Sequence, residues 1–178
     1  MPNIRIFLLL RNILCKIRDY KINLHVVTDK KYCFLGGKYL CLSTQSILNR
    51  IFKRSNVNVH FYEWSKKNLS TAAKNSDIGL IPIPNNRRLL LKPENKMILM
   101  WSLGLPVIAT RTKSHKRVMN SIKSDWLCDS INEWETKIMK LSLGKKERLK
   151  YINSIKNFLK NDYSTKSISN IWDKVISL

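Results

Sequence analysis

The sequence predicts an α/β domain in which a mostly parallel sheet is flanked by helices and closed by C-terminal helices. Three observations lead there. Short β-branched runs alternate with helix-periodic stretches from residue 22 to residue 128, and strands separated by helices pair in parallel. Residues 78–110, IGLIPIPNNRRLLLKPENKMILMWSLGLPVIAT, read as a single unit: strand, basic loop, helix, Gly-Leu-Pro turn, strand. The chain has 178 residues, of which 44% are hydrophobic, enough for one core and too apolar for disorder. No internal repeat, low-complexity tract or long linker interrupts it, so residues 1–178 read as a single domain.

The elements follow in order. Residues 3–20 are helical, with Ile4, Phe7, Leu8, Ile13, Leu14 and Ile17 as apolar contacts. Their apolar stretch is broken by Arg11 and followed by Lys16 and Arg18. It is too short to span a bilayer, and no small-residue cleavage site follows it. Residues 22–28, INLHVVT, form a buried strand. Residues 32–42 hold two weakly strand-like pieces about a turn at Gly36-Gly37. A helix at 44–54 turns Ile47, Leu48 and Ile51 inward, and the alternating VNVHFY of 57–62 is a strand. Ser65 caps a helix to about residue 75. A strand at 78–83 leads to a helix at 94–103, whose first turn Pro93 prepares. Strand 107–109, helix 114–121 and a small strand at 126–128 come next. Asp129 or Ser130 caps a helix to residue 143, and helices at 145–159 and 165–175 close the chain. Trp101, Trp134 and Trp172 read as packing residues of these helices. The alternation as a whole is Rossmann-like.

The net charge of +21 draws nucleic acid, anionic lipid or phosphorylated small molecules to the surface. The basic residues are scattered, however. Clusters stop at pairs such as Lys66-Lys67, Arg87-Arg88 and Lys145-Lys146, and the Lys-, Asn- and Ile-rich composition accounts for part of the excess. Aromatic residues do not interleave with a basic stripe and no nucleic-acid motif is present. Membrane surface and nucleotide therefore rank ahead of DNA. Cys15, Cys33, Cys41 and Cys128 show no CxxC pairing and no neighbouring His at metal spacing, which argues against zinc and for free thiols in a reducing cytoplasm. There is no Gly-x-Ser-x-Gly elbow and no Walker lysine loop. His25 and His60 read as packed core histidines, and Asp77 as a helix end.

Lys92, Asn95 and Lys96 fall at the start of the helix that follows a strand's carboxyl end. Free backbone N–H groups, the positive end of the helix dipole and added cations suit such a place to phosphate. The same residues also fit an ordinary surface helix with solvated lysines. Arg87 and Arg88 lie in the loop before it. His115 opens the following helix, near the mouth of the presumed cleft, where it could meet a sugar or phosphate.

The ordered set resembles the carboxyl-terminal domain of GT-B fold glycosyltransferases (family 4, group 1-like). WSLGLPVIAT at 101–110 resembles that family's A-x-G-x-P-V-[IV]-A stretch. Lys92, Asn95, Lys96 and Met97 match the K-x-x-N-[KR]-[LM] of one branch, and AAKNSDIGLIP at 72–82 resembles its A-D-[IV]-[GA]-[LI]-[IL]-P segment. VNVHFYEW at 57–64 resembles the strand and turn before the donor pocket, and Tyr163-Ser164 with Trp172 the closing helices. The resemblance implies that Lys92, Asn95 and Lys96 hold the diphosphate of a nucleoside-diphosphate sugar; Arg88 and His115 are further candidate contacts by position, and a solvated loop is the other reading of Arg87 and Arg88. It places Tyr62, Glu63 and Trp64 where nucleobase and ribose sit; packing at the rim is the other reading of Tyr62 and Trp64. It implies transfer to a surface glycan or lipid-linked acceptor, with no cofactor and no obligatory metal.

Two departures accompany it. The glutamate pair of many relatives falls near Leu91 and Leu99. The amino-terminal acceptor domain and the first strand of the donor domain are not represented, so completion by an amino-terminal domain or chain is expected. Catalytic residues are not assigned. The expected location is the cytoplasm, peripheral to the inner membrane face. The competing readings are a basic nucleic-acid-binding module and a non-functional fragment.

Overall fold

A computed structural model describes residues 4–34 and 40–176. The chain opens with helix α1 (Ile4–Leu14) and strand β1 (Ile22–Thr28), followed by β2 (Lys31–Phe34), β3 (Leu40–Ser43) and α2 (Thr44–Ile51). Then come β4 (Val57–Glu63), α3 (Lys66–Lys74), β5 (Gly79–Ile81), the one-turn α4 (Arg87–Leu90) and α5 (Asn95–Ser102). The remainder is β6 (Val107–Thr110), α6 (Lys113–Ser121), β7 (Leu127–Cys128), α7 (Ile131–Leu143), α8 (Lys145–Asp162) and α9 (Thr165–Ile176).

The protein is α/β with small parallel sheets. β1 pairs in parallel with β4, and β5, β6 and β7 form a separate parallel sheet in that order. The expected continuous sheet is thus two sheets, joined through one apolar core. α1 contributes Phe7, Leu10, Ile13 and Leu14 to that core and packs against both α2 and α7. Trp101 and Met97 of α5 enter it from the second sheet, where α5 lies on β5 and β6. α8 closes it with Tyr151, Ile155 and Phe158. Trp101 meets the rings of Tyr151 and Phe158 edge-on, with centroids 6.3 and 5.8 Å away.

Side-chain caps set the starts of four helices. Ser43, Ser65, Thr112 and Ser130 each accept from the amide three residues on, which satisfies one of the donors that a helix start leaves open. Of the two candidates at 129 and 130, Ser130 is the cap. The Gly-Leu-Pro turn has an equally local cause. Gly104 N–H donates to Trp101 O (2.9 Å) and Leu105 N–H to Met100 O (3.1 Å). This is a Schellman closure, with Gly104 at φ 82° in the left-handed region. Gly104→Ala meets open space but must adopt that φ, so it is expected to lower stability by about 1 kcal/mol. Urea unfolding checks this, and an unchanged midpoint would refute it.

Three expectations are corrected. Cys33 and Cys41 are directly opposite in the β2–β3 hairpin and are joined as a disulfide; antiparallel pairing brings together two thiols that their linear spacing did not connect. Cys15 and Cys128 remain free. The denatured protein should accordingly titrate two thiols before reduction and four after it; four before reduction would refute the pairing. The turn at Gly36-Gly37 lies outside the described residues. Trp134 is buried as expected, but Trp172 is 61% exposed.

The third correction concerns the histidines. His25 and His60 are half-buried partners across β1 and β4, not core residues. Their rings stack at 4.7 Å. His25 Nδ1 lies 3.2 Å from the Tyr62 hydroxyl, and His60 Nε2 lies 3.1 Å from Asn23 Oδ1. The period of two puts Asn23, His25, Asn58, His60 and Tyr62 on one face of the pair and Leu24, Val26, Val59 and Phe61 on the other. Burial and the neighbouring His60 hold His25 below the usual histidine pKa.

Candidate functional site

The predicted phosphate loop is built where β5 and β6 end. Thr110, the last residue of β6, uses its hydroxyl to anchor the loop after β5. It accepts from Ile83 N–H at 2.8 Å and approaches Ile83 O at 3.3 Å. The loop then makes the turn of α4 and delivers Lys92, Pro93 and Glu94 to the start of α5. Helix α5 begins at Asn95, with Glu94 as N-cap. Lys92, Asn95 and Lys96 are all exposed here, and the opening amides of α5 are the ones a helix leaves without internal partners.

Helix α6 begins beside it. Thr112 Oγ1 accepts from His115 N–H at 3.1 Å and lies 3.1 Å from Ser114 Oγ. Ser114 in turn donates to the carbonyl of Lys92 at 2.9 Å. The N-termini of α5 and α6 are therefore laced together, and their positive ends adjoin.

Glu94 explains how that junction is held. Its side chain makes no cap bond. It is only 5% exposed and takes a charged hydrogen bond from Arg117, with the Tyr163 hydroxyl 3.5 Å away. Burial acts to raise the carboxyl's pKa. Its own backbone N–H, then Arg117, then Tyr163 outweigh that effect and hold it below the ordinary carboxylate range. Arg117 is itself 72% exposed at its side chain, which leaves guanidinium edges facing solvent.

His115 does not sit at an open mouth. It is 2% exposed, and Nδ1 donates to Thr110 O at 2.8 Å. A carbonyl only accepts, so Nδ1 carries the hydrogen. Burial lowers the ring's pKa, against the opposing pull of Thr110 O and Glu94. In the neutral ring Nε2 is then the unprotonated nitrogen. Its place is behind the junction, fixing α6 to the end of β6. The side chain of Arg88 lies outside the described residues.

Tyr62, Glu63 and Trp64 do not converge. Tyr62 belongs to the histidine face of the β1–β4 pair. Glu63 and Trp64 instead line a hollow of about 350 Å³ with Asp29, Lys30 and Lys31, at the carboxyl ends of β1 and β4. Trp64 is 54% exposed there, and its amide donates to Thr28 O at 3.0 Å. Asn68 Nδ2 donates to Glu63 O at 2.8 Å, and Ser65 caps α3 directly behind. Carboxyl ends of parallel strands are where open α/β sheets place ligands.

Arg111, which follows β6, is already engaged. It donates to Asp129 at 2.7 Å, to Asp125 at 3.2 Å and to Leu127 O at 3.2 Å, and these aspartates hold its pKa up. Burial pushes the Cys128 thiol up to about 12, so it is a neutral core group. No group of three or more His, Cys, Asp or Glu among the described residues could hold a metal ion. No helix among them is long and apolar enough to cross a membrane.

Glu94 and Arg117 are the site residues that the sequence did not single out. Glu94 opens the predicted helix at 94–103, but its partner is 23 residues away and on another helix, so no local spacing pairs them. Compared with known protein families, curated proteins and solved structures, the chain gives no match.

Proposed function

We propose that this chain is a nucleoside-diphosphate-sugar-binding domain of Rossmann-like form and GT-B glycosyltransferase type, acting in sugar transfer together with an amino-terminal acceptor-binding part. The observation that carries the reading is the laced junction of α5 and α6. Two positive helix ends adjoin there, beside exposed Lys92, Asn95 and Lys96. A diphosphate leaving group gathers negative charge as the glycosidic bond breaks. Prearranged N–H groups and ammonium groups stabilise that charge more than they stabilise the ground state. Lys92 and Lys96 supply the cations, Asn95 a hydrogen bond to phosphate or a sugar hydroxyl, and Glu94 with Arg117 the rigidity.

The hollow beside Glu63 and Trp64 supports the second half of the reading. A carboxylate there accepts from ribose hydroxyls, and an exposed indole covers a base. Tyr62 is left out of this role because it faces His25.

Titration of the purified chain with nucleoside diphosphates and with duplex DNA, each across a salt series, tests the proposal. Saturable diphosphate binding that weakens about tenfold in Lys96→Ala is expected. Steeply salt-dependent, sequence-blind DNA binding without nucleotide selectivity would overturn it in favour of a basic nucleic-acid module.

A further inference from the structure

We infer that a hollow at the amino ends of β1 and β4 is a second anion site, one that takes a phosphomonoester. It is independent of the proposed reaction. The hollow, of about 270 Å³, is lined by Arg11, Cys15, Arg18, Arg54, Ser55 and Asn56. Ile22 N–H donates to Asn56 O at 3.1 Å, which sets the hollow where β1 and β4 begin. The hollow beside Glu63 and Trp64 is at the far end of the same seven-residue strands. At about 3.3 Å per residue the two lie roughly 20 Å apart.

Its walls are fixed to each other. Cys15 N–H continues the pattern of α1 by donating to Arg11 O at 2.9 Å, so Arg11 and Cys15 share a helix face. Arg18 follows in the stretch after α1. The turn between α2 and β4 supplies Arg54, Ser55 and Asn56. Asn56 Nδ2 donates to Ile17 O and, at 2.8 Å, to Tyr20 O, which ties that stretch to the turn. Ser55 Oγ donates to Phe52 O at 2.6 Å and accepts from Val57 N–H at 3.3 Å. Arg54 itself stands at φ 58°, in the left-handed region that glycine or asparagine ordinarily takes. An arginine is thus held there against a backbone preference.

The charge in the hollow is uncompensated. Among the described residues no acidic side chain lines it, and the guanidiniums of Arg11, Arg18 and Arg54 make no hydrogen bond and no ion pair. Arg111, Arg117 and Arg148 show the alternative, each donating to a carboxylate or carbonyl of this chain. Helix dipoles account for part of the cluster. The carboxyl ends of α1 and α2 adjoin the hollow, and each is equivalent to about half a negative charge, so together they offset about one of the three guanidiniums. The remaining excess of about two positive charges matches a phosphomonoester, which carries about −1.5 to −2 at pH 7. Its terminal oxygens also accept the paired N–H groups of guanidinium forks. A carboxylate or a phosphodiester brings a single charge and leaves the rest of the excess in place.

Cys15 is a reporter in the wall of the hollow. It is a half-buried free thiol, whereas Cys128 is free but 1% exposed and gives an unreactive reference. Its alkylation by iodoacetamide in the full chain is followed by peptide mass spectrometry while glycerol 3-phosphate or inorganic phosphate replaces chloride at constant ionic strength. Either anion is expected to slow the reaction saturably, by about fivefold at four times the half-saturating concentration. Arg54→Gly removes one fork and relaxes the φ, so the fold is kept; it should raise the half-saturating concentration about tenfold. Lys92→Ala with Lys96→Ala should be protected like the parent chain, which separates this site from the α5–α6 junction. Protection by soluble glycerol 3-phosphate makes the ligand a free phosphorylated molecule, and protection by phosphatidic-acid vesicles alone makes it a lipid head group. Three results would overturn the inference: no slowing by any of these phosphomonoesters, undiminished slowing in Arg54→Gly combined with Arg11→Gln, or equal slowing by phosphatidylglycerol vesicles, whose phosphodiester would mark general attraction to negative charge.

Discussion

Trp101→Ala is expected to lower unfolding stability by about 3–5 kcal/mol, the range for emptying a fully buried aromatic site. Trp101 is 1% exposed and stands edge-on to Tyr151 and Phe158. Among the described residues its indole nitrogen has no hydrogen bond of good geometry, so packing carries most of the effect. Helix α5 is what Trp101 fixes in place, and the amides beside Lys92 and Asn95 move with α5. Domains of this kind are stable by only about 5–15 kcal/mol, so the variant should unfold at much lower urea with an unchanged slope. Trp172→Ala is the matched control. That residue is 61% exposed, and its loss should stay within about 0.5 kcal/mol. Equal effects at the two positions would refute the assignment of the core.

The second large effect concerns binding. Lys96→Ala is expected to weaken nucleoside-diphosphate binding about tenfold, and Lys92→Ala with Lys96→Ala about a hundredfold. Each lost hydrogen bond to a charged group is worth about 1.5–3 kcal/mol, taken at the low end for exposed lysines. Lys145→Ala with Lys146→Ala removes the same charge from the exposed start of α8 and should change the affinity less than about twofold, since charges beyond a Debye length are largely screened. Calorimetric titration at fixed salt separates the two. If both double variants weaken binding alike, general basicity and not the α5–α6 junction holds the anion.

Most of the fold was legible because its causes are local. Ser43, Ser65, Thr112 and Ser130 mark their helix starts by side-chain chemistry within three residues. Gly104 marks the end of α5 through the φ it tolerates. The strands stood out by β-branched runs. Non-local matters were not legible. The Cys33–Cys41 bond depends on hairpin register, and the Glu94–Arg117 pair on how α5 meets α6. The separation into two sheets depends on which edges find partners. The polar face of β1 and β4 was in fact readable: Asn23 and His25 share a parity, as do Asn58 and His60. Reading INLHVVT as a uniformly apolar run concealed it. For the site, the positions of Lys92, Asn95 and Lys96 followed from sequence, whereas the burial of His115 and the turning away of Tyr62 required the packed elements around them.

The tie between Tyr151 and β6 bears on how the chain is made. The Tyr151 hydroxyl donates to Val107 O at 2.8 Å across a separation of 44 residues, and Phe158 lies farther along the same helix. A chain emerging from the ribosome thus exposes Trp101, Met97 and the apolar face of α1 before their covering residues have been synthesised. The nascent polypeptide must hold these groups without a finished interior until nearly the whole of α8 has cleared the exit tunnel. Contacts of such long range also slow folding once synthesis ends. The core of this domain therefore closes only after α8 has been made, and chaperone capture before that point is expected to centre on α1 and α5.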